Sequence, residues 1–87
     1  MTEEDYLERI NQADYDLYYL RKRIKKLEVE TAEAVRQRNV PLANLKRRYR
    51  RQQERYVTYT KFYKKTFNAQ YQEMLKGAKG GRNDIQA

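Results

Sequence analysis

The 87-residue chain contains no cysteine, no histidine and no tryptophan, and it has one proline and three glycines. Without Cys or His there is no disulfide framework, no thiolate nucleophile, no imidazole base and no zinc site of the usual nitrogen and sulfur type. The carboxylates do not replace them: Asp14 and Asp16 fall on different sides of a helix, and Glu3, Glu4 and Asp5 read as a helix cap. Catalytic residues, metal ligands and cofactor sites are therefore expected to be absent, and the chain is read as a non-enzyme. Apolar runs are also missing, since none approaches the ~20 residues of a membrane span. Polar Thr2, Glu3, Glu4 and Asp5 follow Met1 where a signal peptide would place positive charge and an apolar stretch. These absences predict a soluble cytoplasmic protein with no membrane partner.

Apolar residues make up 39% of the chain and the mean hydropathy is −1.24, so few side chains are available for a core. Nine tyrosines and two phenylalanines nevertheless exceed what a disordered, solvating segment carries, and they imply that something packs or stacks.

Between residues 3 and 38 no Gly or Pro interrupts the chain, and Tyr6, Ile10, Ala13, Leu17, Leu20, Ile24, Leu27, Thr31 and Ala34 recur in steps of three and four. That is the seam of a coiled-coil helix. Thr2 with Asp5 three positions later predicts a capping box, and a first helix over 3–37 would be about 50 Å long. Pro41 predicts the break, with the turn at 38–41 and Asn39 as the left-handed or capping residue. A second helix over 41–76 follows, with its seam read as Leu42, Leu45, Tyr49, Gln52, Tyr56, Tyr59, Tyr63, Phe67, Tyr71, Met74 and Leu75. Gly77, Gly80 and Gly81 predict a stop and a mobile tail over 77–87.

Two helices joined by so short a turn predict an all-α fold, an antiparallel two-helix coiled-coil hairpin in which facing residue numbers sum to about 80. That register places Glu28, Glu30 and Glu33 near Gln52, Arg50 and Arg47, and the acidic first turns near Lys64, Lys65 and Lys76. The alternative is a kinked helix in an extended intermolecular coiled coil. Apolar residues off the seam, among them Leu7, Tyr18, Tyr19, Val35 and Phe62, imply a second face and a homodimer, two hairpins forming a four-helix assembly.

Charge is divided along the chain: the total is +8, with −5 in residues 1–20 and +13 in the remaining 67. Acid at the start of a helix suits its dipole, which explains part of the division. The densest basic run is Lys46, Arg47, Arg48, Arg50 and Arg51, extended by Arg55, with a second run at Arg21, Lys22, Arg23, Lys25 and Lys26. Such runs often flank a coiled-coil seam. Arginine's planar fork, however, matches phosphate bidentately, and a net +13 makes nucleic acid or a nucleic-acid-binding complex the expected partner. Arg47, Arg48, Arg50 and Arg51 are the expected phosphate contacts, with Lys46, Arg55, Lys22, Arg23, Lys25 and Lys26 supporting. Tyr15, Tyr18 and Tyr19, in acidic surroundings, and Phe62 are candidate anchors for a protein partner.

The stretch from Thr2-Glu3-Glu4-Asp5-Tyr6-Leu7-Glu8-Arg9-Ile10 to Leu27 resembles the first helix of small phage-encoded, sigma-like transcriptional regulators of Gram-positive hosts. The resemblance covers about a third of the chain and implies a small accessory protein of a phage or mobile element. Three readings follow: a nucleic-acid-binding accessory protein, a protein-docking inhibitor or adaptor of a host polymerase or nuclease, and a structural coiled-coil subunit.

Overall fold

Thr2 opens the first helix as its side chain and Asp5 exchange hydrogen bonds. The Asp5 N–H donates to Thr2 Oγ1 at 3.3 Å and the Thr2 N–H donates to Asp5 Oδ2 at 3.0 Å, closing the expected capping box. In the computed structural model, which describes the backbone of residues 1–86 and the side chains of residues 1–77, helix α1 spans Glu3–Arg36 and helix α2 spans Val40–Gln86. The chain folds back on itself as a helical hairpin, not as an extended helix.

The turn differs from the expectation in which residue carries it. Arg38, not Asn39, takes the left-handed conformation, with φ at 57°. The Asn39 N–H then donates to the Ala34 carbonyl at 2.9 Å and the Arg38 N–H to the Val35 carbonyl at 3.0 Å, which together make a Schellman motif. Asn39 is thereby free to cap α2, its Oδ1 accepting from the Leu42 N–H at 3.2 Å. Val40 is already helical and Pro41 occupies the first turn, where its missing N–H costs nothing. Helix α2 does not end at residue 76. Gly77 has no positive φ, so no left-handed cap forms there and the backbone stays helical to Gln86. The tail expected over 77–87 falls mainly on residues whose side chains lie outside the described set.

Every residue of the predicted α1 seam, from Tyr6 to Ala34, is buried or half-buried, with Ala13, Leu17, Leu27 and Ala34 the most enclosed. The opposing face of α2 is the predicted one at Leu42, Phe67, Tyr71, Met74 and Leu75, which are half-buried, and departs from it between Leu45 and Tyr63. It includes Ala43, Lys46, Arg50, Gln53, Val57, Thr60, Lys64, Phe67, Tyr71 and Met74, also in steps of three and four. Between residues 45 and 63 this face is turned by about 100° from the predicted seam, one residue's rotation, and from Phe67 onward the two coincide. In this register small Ala43 lies level with Ala34 near the turn, and Val57 and Thr60 lie level with the bulkier Leu20 and Leu17 of α1, as large and small side chains interdigitate. Carboxylates flanking the α1 seam hold the same rotation: Glu30 accepts from Lys46 at 2.6 Å, Glu28 from Arg50 at 2.8 Å, and Asp14 pairs with Lys64.

Facing numbers therefore sum to 74–78, not 80. Glu30 meets Lys46 where Arg50 was expected, Glu28 meets Arg50 where Gln52 was expected, and Glu33 pairs within α1 with Arg36 at 3.1 Å. At the open end Tyr71 donates its hydroxyl to Glu3 at 2.9 Å and Arg9 stacks 5.1 Å above the Phe67 ring. No helix among the described residues is long and apolar enough to cross a membrane.

Candidate polyanion-binding surface

The rotation of α2 decides which arginines are free. Lys46 and Arg50 belong to the contact face: Lys46 is half-buried against Glu30, and Arg50 bridges Glu28 and Glu54, the latter at 3.2 Å. The Lys46 ammonium donates to the Glu30 carboxylate and holds it below its ordinary value of 4.5. Both cations were expected to meet phosphate, and both are instead engaged in holding the hairpin.

Arg47, Arg48, Arg51 and Arg55 lie on the outer arc of α2. Measured from Gln53, which points at α1, each is rotated by more than 90°, so their guanidiniums project away from the other helix. All four are exposed, and among the described residues none has a carboxylate partner. Arg47 spends one of its five donors on Asn44 Oδ1 at 3.2 Å and leaves the rest available. Four guanidiniums thus line about 12 Å of helix, on two and a half turns that also contain Gln52.

The first-helix cluster is exposed as expected. Lys22, Arg23 and Lys26 line a groove between the helices, and Lys25 is exposed outside it. Lys22 sits 4.9 Å above the Tyr18 ring, and its hydrogen bond to the Tyr18 hydroxyl raises its pKa.

The expected protein anchors are all exposed and are not gathered on one surface. Tyr18 and Tyr19 pack edge to face at 5.4 Å, Tyr15 and Tyr18 line a shallow recess with Asn11 and Asp14, and Phe62 stands on the outer side of α2. Tyr19 alone reaches the groove of about 500 Å³ between the helices, together with Asp16, Leu20, Arg23, Lys26, Tyr56 and Thr60. The groove continues past Asp16 and Thr60 to Gln12, Tyr63 and Phe67.

The surface missed by sequence reasoning is the aromatic one. Leu45, Tyr49, Tyr56, Tyr59 and Tyr63 were read as core because of their spacing, and they are 40–61% exposed, with Tyr56 and Tyr63 lining that groove. The signal was their chemistry: a tyrosine hydroxyl needs water or a partner, and four in one seam could not all be satisfied inside so thin a core.

Among the described residues no cluster of His, Cys, Asp or Glu could hold a metal ion. No protein family, curated protein or solved structure matches the chain.

Proposed function

We propose that this protein is a non-enzymatic accessory factor that binds the phosphate backbone of nucleic acid, alone or within a nucleic-acid-handling complex, through the outer arc of α2. One observation carries the reading. Acids of the turn-proximal half are used on Lys46, Arg50 and Arg36, leaving Arg47, Arg48, Arg51 and Arg55 exposed and without carboxylate partners among the described residues. Arginine forks of this kind donate bidentately to phosphate oxygens and carry no base information. Lys22, Lys25 and Lys26 of α1 add long-range attraction. The resemblance of residues 2–27 supports the setting of a phage or mobile element, acting in the cytoplasm.

Fluorescence anisotropy against short DNA and RNA duplexes and single strands, over a salt series, tests the reading. Four arginine–phosphate contacts on a duplex give a log–log slope of about −3 to −4. Submicromolar affinity near physiological salt is expected. The Arg47→Glu/Arg51→Glu variant should bind at least tenfold more weakly with unchanged circular dichroism. Micromolar binding that vanishes at physiological salt, or full affinity in that variant, refutes the site and moves the search to protein partners.

A further inference from the structure

Helix α2 carries two heptad faces, and the hairpin uses only one. The unused face reads Leu45, Tyr49, Gln52, Tyr56, Tyr59 and Tyr63, in steps of four, three, four, three and four, which is the spacing of a coiled-coil seam. Its large side chains are 40–61% exposed, and Tyr56 and Tyr63 among them line the groove formed with Asp16, Tyr19 and Arg23 of α1. Taking about 200 Å² per ring, they present on the order of 500 Å² of mainly apolar surface. That is near the upper limit for the largest patch of a soluble monomer. It is more than half of the roughly 800 Å² that each partner contributes to a stable dimer, and Tyr19, Gln52 and Arg48 at its margin supply further contact.

We propose that this face is the interface between two copies of the chain, packed as antiparallel hairpins about a two-fold axis perpendicular to the long dimension. The heptad spacing favours another helical seam over an extended peptide, and the charge distribution selects the second copy and its direction. Residues 1–20 carry −5 and lie at the open end, whereas the arginines of α2 crowd the turn end. With the two-fold axis near the middle of the stripe, at about residue 54, the turn end of each hairpin lies over the acidic half of the other. Arg48 then comes level with Asp16 of the second copy, on the groove side where Asp16 already lies. A parallel pair would instead set arginine against arginine. The Arg47 and Arg51 side chains remain outside the dimer interface, so the dimer presents polyanion-binding arcs near its two ends, and its existence does not depend on that binding.

Sedimentation equilibrium of the full chain without nucleic acid should give twice the 10.7 kDa chain mass at micromolar concentration. A Tyr56→Arg/Tyr63→Arg variant should sediment as a monomer with its helical circular dichroism retained, because neither ring supports the hairpin seam. A monomeric wild type, or a variant that remains dimeric, overturns the interface. The chain has no cysteine, so single substitutions report orientation cleanly. Gln52→Cys, near the axis and offset from its own copy by only about 6 Å along the helix, should be joined to it by a short bis-maleimide cross-linker, and Leu45→Cys, some 27 Å from its own copy in the antiparallel arrangement, should not. Cross-linking of Leu45→Cys with itself overturns the antiparallel direction, and failure of both in a dimeric protein places the interface elsewhere.

Discussion

Arg38 holds a conformation that an L side chain adopts at a cost of about 1 kcal/mol, and it does so because the Schellman hydrogen bonds of the turn require a left-handed residue at that position. Arg38→Gly should raise hairpin stability by about 0.5–1 kcal/mol, read as a higher midpoint in urea unfolding; a lower midpoint would mean that the arginine side chain itself stabilises the turn. Two carboxyls at this scale set the acid response. Asp5 is held low by the Thr2 backbone N–H and hydroxyl, and Glu30 by Lys46, from ordinary values of 3.8 and 4.5. The folded chain therefore binds fewer protons than the unfolded one in acid. Their stabilisation is complete above about pH 4.5 and is lost as pH falls through the lowered folded values. Thermal melts at pH 7, 4.5 and 3 should show the midpoint falling only in the last step, and a Glu30→Gln variant should fall less.

At the scale of the element, α1 and α2 differ in how far periodicity determines their packing. Helix α1 has one apolar stripe and packs with it. Helix α2 has two usable stripes, an aromatic one and a mixed one of small residues and cations, and the mixed one faces α1. Gln53 marks the compromise: it is buried, and its Oε1 has no hydrogen-bond partner among the described residues. An unsatisfied buried acceptor costs about 1–3 kcal/mol. Gln53→Leu should accordingly stabilise the hairpin by about 1 kcal/mol in the same unfolding assay, whereas destabilisation would show that the amide specifies the seam.

For the whole molecule, the division of charge and the rotation of α2 act together. Acids placed along the α1 seam draw Lys46, Arg50 and Lys64 into the hairpin, and the same rotation turns Arg47, Arg48, Arg51 and Arg55 outward and leaves the tyrosines uncovered. One face is thus proposed for phosphate and another for a second copy. The two are separable, since the arginine variant tests binding and the tyrosine variant tests assembly.

Local signals were sufficient for α1 and for the break, though not for the end of α2, where Gly77 does not stop the helix. Thr2 and Asp5 marked the start of α1, its unbroken three-and-four spacing marked the seam, and Pro41 marked the break, because caps, periodicity and proline act within a few residues. The basic run and the absence of catalytic side-chain types were equally legible. What the sequence could not determine was which residues of α2 face α1. Lys46 and Arg50 read as free cations until Glu30 and Glu28 were placed opposite them, and Tyr49, Tyr56, Tyr59 and Tyr63 read as core until the helix was seen turned by about 100°. That choice depends on pairings between residues 16 to 50 positions apart in the chain. When one helix carries two heptad stripes, only the shape and charge of the helix opposite select between them.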